Sequence, residues 1–402
     1  MARSRNFDDL VRAAHDRGLK LLMDLVACHT SIEHPWFRAH PDWYVWSPVD
    51  GPANNWTSAF GGPAWSRDER SGRWYLHSFY PEQPDLDWHN PAVVEAMQGV
   101  VRFWIERGVD GFRIDAIDRL VKDPELRDDP PSSEPFGLWL LEHEQGRDLC
   151  HSRNWQGIGQ ALAAIRAAAG ESLLVGEVYL PTRRHAPYHR HLDRTFVFEL
   201  LQAPWEAPFV RAAVTAGSAG PGAAWVLSNH DFGRLPSRVG REHERAAAML
   251  LLTLPGTAFV YQGDEIGLAN GPGHSPPYDR IGRDSFRHPM QWNDSPGGGF
   301  TTGRPWLELV DPAERNVAAQ AADCNSTLSY WKDLIALRRE LSQELEPVDL
   351  APDVLAVRRG GDLVAISFAD EPRPLPAGEV LLATERGERG TLPPRAGAVV
   401  RD

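Results

Sequence analysis

Three times in the first half of this chain, a helical pattern ends at a glycine and a short apolar run follows at once. Phe7 to Arg17 places Phe7, Leu10, Val11 and Ala14 on one face, Gly18 stops the helix, and a strand is predicted over Leu19 to Val26. The stretch VVEAMQGVVRFWIERGVDGFRID gives a helix to Arg107, then Gly108, then a strand into Asp115. ALAAIRAAAGESLLVGEVY repeats the order, with a helix to Ala169, Gly170 and a strand into Glu177. Further strands are predicted at Phe196 to Leu200, Ala223 to Asp231 and Thr257 to Glu265, with helices at about Pro204 to Ala216 and Arg241 to Leu252 between them. The near-continuous run Leu21, Leu22, Met23, Leu25, Val26 reads as a strand buried on both faces. Short buried strands alternating with helices pair in parallel, and six such strands predict an α/β fold of the (β/α)8 TIM-barrel type.

Three stretches break this rhythm. Ser31 to Asn90 is rich in Trp, Pro, Gly and Asn and is expected to be an inserted domain B, at 31–90. Asp264 to Asp323 reads as a long Gly/Pro-rich loop region. From about Glu346 the pattern turns to alternating runs around Gly360 and Gly361, predicting a small C-terminal antiparallel β domain at 343–402. The catalytic barrel is then expected from 1–30 and 91–342.

A net charge of -13 argues against nucleic acid or an anionic membrane as partner. Cys28, Cys150 and Cys324 are odd in number and widely spaced, forming neither a disulfide framework nor a zinc pattern. The N-terminal residues lack the apolar stretch of a signal peptide and no run reaches transmembrane length, so a cytoplasmic location is expected. The chain has 15 Trp, many beside Pro, Asp, Asn and His. Such surroundings suit sugar binding, although core packing explains most tryptophans in most proteins.

In a barrel of this type, functional groups gather at the C-terminal ends of the strands. Those ends carry His29, Arg113 with Asp115, Glu177, and His230 with Asp231. A lone Asp after a strand is more often a helix cap, and a lone His more often a satisfied core residue. Their coincidence at four strand ends favours a hydrolase or transferase site.

These residues lie in four blocks, DLVACHTS, GFRIDAID, VGEVYL and LSNHD, joined by EHPWF, DLDWHNP, YQGDEIG, GRDSFRHPMQW and NVAAQ. In this order they resemble the α-amylase superfamily, glycoside hydrolase family 13, in its α-glucosidase and oligo-1,6-glucosidase branch. The resemblance runs from about Phe7 to beyond Arg339. It implies a retaining hydrolase of short α-linked gluco-oligosaccharides. Asp115 matches the nucleophile, Arg113 the group that orients it, and Glu177 the general acid/base, with a raised pKa expected of it. Asp231 matches the third carboxylate, His29 and His230 match hydroxyl-binding groups, and Arg287 matches an arginine that closes the subsite for the cleaved glucose. A nucleophile mechanism implies carboxyls of Asp115 and Glu177 roughly 5 to 5.5 Å apart. Ala116 after the nucleophile and the GEVYLP stretch favour α-1,4 over α-1,6 linkages. Cys28 stands where the family usually has an Asn that helps bind calcium. A small buried filler is the reading of Cys28, and no metal or cofactor is expected.

The resemblance also makes KLLMDLVACH the third strand of eight, so the first two βα units are expected to be missing. With them would go the loop whose Asp and Tyr contact the non-reducing glucose and pair with the arginine matched by Arg287. Two other readings stay open: a transglycosylase or trehalose synthase-like isomerase, and an inactive truncated relative that only binds.

Overall fold

The expected glycine stops are where the backbone needs them. Gly18, Gly108 and Gly170 follow helices Ala2–His15, Pro91–Glu106 and Ile158–Ala169 with φ of +70°, +91° and +59°, a region costly for any residue with a Cβ. The computed structural model describes residues 2–133, 146–385 and 387–402. The chain forms two compact units, Met1–Phe196 and Val197–Asp402.

In the first unit, the strands are β1 (Leu22–Leu25), β2 (Trp65–Arg67), β3 (Trp74–Leu76), β4 (Gly111–Ile114), β5 (Leu173–Gly176) and β6 (Arg194–Phe196). β1, β4, β5 and β6 pair in parallel, in that order. Helix Pro91–Glu106 begins where Asn90 accepts the Ala92 amide at 2.9 Å, with Pro91 in the first turn. Its buried residues Val93, Met97 and Val101 recur every four positions and meet Phe112, Ile114 and Leu174 of the sheet. Each such fully buried aliphatic side chain contributes roughly 1.5–3 kcal/mol. β4 and β5 approach so closely that a Cβ on Gly111 would lie 2.2 Å from the Leu173 carbonyl oxygen.

β1 departs from the expectation of burial on both faces. Leu25 and Ala27 are buried, but Asp24 and Val26 are exposed. Asp24 stands in register with Arg113 of β4 and accepts from its guanidinium, so the charge within the apolar run has a partner on the next strand. Among the described residues β1 pairs with β4 alone. Leu10 of the first helix is 54% exposed and does not join Val11 in the core. Between β1 and β4, the antiparallel pair β2–β3 packs Trp56, Trp65 and Leu76 together.

In the second unit, β7 (Ala223–Val226) and β8 (Thr257–Phe259) are parallel. The strand expected over Phe196 to Leu200 is corrected: β6 ends at Phe196, and Phe198–Gln202 is a helix. A stretch as short as Phe196 to Leu200, with four apolar residues around Glu199, satisfies both periods, and here burial of Phe198 and Leu201, three apart, fits the helical one. The region expected to be loop contains helix Val317–Ala321, capped by Asn316 on the Ala319 amide at 2.8 Å.

The C-terminal residues form an antiparallel sheet of β9 (Glu346–Ala351), β10 (Val354–Arg359), β11 (Asp362–Ser367), β13 (Glu379–Ala383) and β15 (Gly397–Arg401), with β12 (Arg373–Pro374) and β14 (Thr391–Leu392) paired beside it. Gly360 and Gly361 make the two-residue turn between β10 and β11, Gly360 at φ +67°. Alternate residues of these strands enter two different cores, Leu355, Val357, Val364 and Ile366 in one, Val354, Ala356, Leu363 and Ala365 in the other. No helix of the described residues is long and apolar enough to cross a membrane.

Several tryptophans, including Trp56, Trp65, Trp225 and Trp331, are core residues at 3% exposure or less. Core packing is therefore the right reading for these, while Trp292 and Trp306 remain exposed.

Candidate active site

Parallel register brings the first group together. Asp24, Arg113 and Val175 are aligned across β1, β4 and β5. Two residues further along the same face, just past the strand ends, come Asp115 and Glu177. The Arg113 guanidinium joins them. Its Nη1 donates to Asp115 Oδ1 at 2.7 Å and to Asp24 Oδ1 at 2.8 Å, and its Nη2 lies 2.5 Å from Glu177 Oε1. Burial works against the charge of Arg113, but Glu177, Asp115 and Asp24 outweigh it and hold its pKa above the ordinary arginine value.

Glu177 is 3% exposed and accepts two further donors, the Tyr179 hydroxyl at 3.0 Å on Oε1 and the Ala116 amide at 3.0 Å on Oε2. Ala116 reaches it from a left-handed conformation, φ 41° and ψ 47°, a strained position for a residue with a Cβ. Three donors around one carboxylate suit its ionised form.

His29 lies beyond β1. The Gln83 amide is fixed by the Tyr80 amide on its oxygen at 3.1 Å, so Gln83 Nε2 donates to His29 Nε2 at 2.8 Å. The ring proton is thereby placed on Nδ1, which is buried without a partner. Burial lowers the His29 pKa, opposed by Asp85 and Asp115, so the imidazole is held neutral.

Beneath His29 is a cation pocket. Cys28, His29 and Asp85 place potential ligand atoms close together. The Lys122 ammonium is inside that group, 2.6 Å from Asp85 Oδ2, 2.5 Å from the Arg119 carbonyl oxygen and 3.6 Å from Cys28 Sγ. Cys28 is fully buried and its thiol donates to the Arg119 carbonyl at 3.3 Å, with burial first among the causes that push its pKa up to about 12.

In the second unit, Asn229 accepts the amides of Asp231 at 2.8 Å and Phe232 at 2.9 Å, a local turn that presents Asp231 beyond β7. Asp231 Oδ1 accepts from Arg283 at 2.7 Å and Arg287 at 3.0 Å, and Oδ2 lies 3.4 Å from His230 Nε2. Arg287 Nε also donates to the His230 carbonyl at 2.8 Å. Burial would raise the Asp231 pKa, but His230, Arg283 and Arg287 overcome it and lower it. Arg287 is thus paired with Asp231.

The structure thus unites Arg113, Asp115 and Glu177 in one unit, and His230, Asp231 and Arg287 in the other. Sequence reasoning missed Asp24, Tyr179, Lys122 and Arg283. Asp24 carried a signal, a charge inside an apolar strand run. Lys122 and Arg283 carried none, because their partners are distant in sequence.

Near the same strand ends, Ser228 Oγ lies 2.5 Å from Asp264 Oδ2, while Asp264 Oδ1 is buried without a partner. Burial pushes the Asp264 pKa up to about 7 against an ordinary 3.8. Between these values the unfolded chain releases a proton that the folded one keeps, so stability falls as pH rises. Asp264→Asn is expected to remove this dependence and to be more stable than the parent at pH 8 by roughly 4 kcal/mol at most. Urea midpoints at pH 5 and pH 8 check it; parallel pH profiles for the two proteins would refute it.

Residues 3–346 match the family model for the alpha amylase catalytic domain. The chain is 37% identical to a probable alpha-glucosidase of Rhizobium meliloti (strain 1021), over 83% of this chain and 69% of that protein. It is 33% identical to an oligo-1,6-glucosidase of Parageobacillus thermoglucosidasius, over 82% of this chain and 70% of that one. Among solved structures, the alpha-glucosyl transfer enzyme XgtA superposes with a TM-score of 0.87 at 32% identity, covering 99% of this chain and 86% of that one. The family match over most of the chain and the structural likeness thus agree with the motif order read from the residues: the chain belongs to the alpha-amylase family and is a glycoside hydrolase with that family's TIM-barrel catalytic fold.

Proposed function

We propose that the chain is a retaining α-glucoside hydrolase acting on short α-linked gluco-oligosaccharides, α-1,4 in preference to α-1,6. One observation carries this reading: a single guanidinium, Arg113, shared by the strand-end carboxylates Asp115 and Glu177. Asp115 attacks the anomeric carbon as the C1–O bond breaks, and Glu177 gives its proton to the departing oxygen. Water then attacks C1, Glu177 takes its proton, and Asp115 is released. The three donors on Glu177 favour the carboxylate needed for the second step. Asp231, held ionised by its cations, binds ring hydroxyls and favours the positive charge developing at C1. His29, with its unpartnered Nδ1, and His230 bind hydroxyls, and Arg287 helps hold the cleaved glucose. Lys122 supplies the positive charge beside Asp85 that a metal would otherwise bring.

The likeness to an alpha-glucosyl transfer enzyme favours a second reading, in which a sugar hydroxyl replaces water in the second step. Proton NMR of maltose turnover tests both. α-Glucose is expected from the cleaved unit before mutarotation; β-glucose would overturn retention. Longer oligosaccharides accumulating at high maltose would mark transfer.

A further inference from the structure

Between β4 and β5 the first unit gathers a carboxylate, a thiol and an imidazole that the reading above does not use. Asp129, Cys150 and His151 each have an atom able to ligate a metal within 4.8 Å of those of the other two. Asp129 and His151 are 22 residues apart, and an antiparallel return of the chain brings them together. The Ser132 amide donates to the Gly146 carbonyl at 2.9 Å and the Asp148 amide to the Pro130 carbonyl at 2.8 Å. Past this return, Asp129 Oδ1 accepts the His151 amide at 2.9 Å and the Ser152 amide at 3.2 Å.

Holding the turn together accounts for Asp129 Oδ1 but uses neither the thiol nor the second ring nitrogen. Asp129 is buried, and its Oδ2 accepts one bond, from the Ser152 hydroxyl at 2.5 Å, which leaves that oxygen a lone pair. His151 Nδ1 lies 2.7 Å from the Asp128 carbonyl oxygen, an acceptor only, so Nδ1 carries the proton. Nε2 keeps its lone pair, the tautomer that metal-bound histidines show when the other nitrogen donates to a carbonyl. Cys150 is a free, half-buried thiol. Burial first, then Asp148 and Asp129, raise its pKa, with Arg127 acting against them. The Arg127 charge is in turn met by Asp123 at 2.6 Å.

We propose that Asp129, Cys150 and His151 bind a divalent cation of the zinc class, with water in a fourth position. Oxygen, sulfur and nitrogen donors together suit such an ion, whereas calcium and magnesium take oxygen ligands. Ligand atoms around a tetrahedral zinc stand roughly 3.2–3.7 Å apart, so side-chain rotation of about 1 Å closes the set. The metal–sulfur bond forms as the thiol proton leaves to water. The ion fastens Cys150 and His151 to Asp129. Two residues further on, Arg153 meets Asp118 at 2.6 Å, three residues after Asp115. The metal therefore has a structural role, steadying a segment that braces the chain after Asp115, and the site does not depend on the hydrolase reading.

The full chain, stripped of metal with a chelator, is titrated with cobalt(II), whose bond to a thiolate absorbs in the near ultraviolet. That absorption is expected to saturate at one ion per chain and to vanish when zinc is added. Cys150→Ser should abolish it, and His151→Ala should weaken cobalt binding by about tenfold or more. Cys324→Ser removes the exposed thiol and should change neither. No cobalt binding by the parent, or an unchanged absorption in Cys150→Ser, would overturn the proposal. Alkylation of the parent, followed by mass spectrometry, needs no variant to fold. Zinc should slow modification of Cys150 by about tenfold or more and leave that of Cys324 unchanged. Cys150 modified equally fast with and without zinc would overturn the site.

Discussion

Asp115→Asn is expected to lower turnover of an aryl α-glucoside by about a thousandfold or more, with little change in thermal stability. The amide keeps an oxygen where Asp115 Oδ1 meets Arg113 at 2.7 Å, so the local geometry should survive. What is lost is the negative oxygen that attacks C1, and no binding interaction replaces a missing nucleophile. Glu177→Gln should behave differently. An aryl leaving group needs little protonation, so the first step proceeds and the second, which needs a base, stalls. A burst of aryl alcohol followed by slow turnover is the expected trace. Steady turnover of Asp115→Asn within tenfold of the parent would remove Asp115 from the mechanism.

The second large effect concerns stability. Lys122→Met is expected to cost about 3–5 kcal/mol, because it leaves the Asp85 carboxylate buried at 0% exposure without its cation. Asp85 is also bound by the Ser78 amide at 2.9 Å and hydroxyl at 2.5 Å, so the pair ties Ser78 to the segment after β4 that carries Lys122. Burial works against the Lys122 charge, but Asp85 outweighs it and raises the pKa. The contribution is therefore intact below the ordinary lysine value of about 10.4 and is lost only as pH rises through the higher folded value. Adding Asp85→Asn to Lys122→Met should recover part of the loss, since an unpaired amide is cheaper to bury than an unpaired charge. Urea unfolding of the single and double variants measures this. A loss below about 1 kcal/mol in the single variant would show the pair to be dispensable.

Much of the framework was legible because its signals are local. Gly108 ends a helix wherever that helix packs, and the Val93, Met97, Val101 spacing marks its buried face without reference to a partner. Asp115 and Glu177 were visible as carboxylates directly after apolar runs. The five residues from Phe196 were misread because a run that short satisfies both periods. The open face of β1 was missed because the run around Asp24 was taken as uniformly buried, and the charge within it was passed over.

By itself, the sequence determined the order of helices and parallel strands and which polar residues end them, since both follow from periodicity and backbone preference over a few residues. Only the tertiary structure decided which cations reach carboxylates on other segments of the chain. Arg113 bridges Asp115 and Glu177 because β4 and β5 pair in one register; a shift of one residue would turn Arg113 to the opposite face. Lys122 reaches Cys28 across 94 residues, and Arg283 reaches Asp231 across 52. Coulomb attraction depends on distance in space, and no pattern along the chain records it.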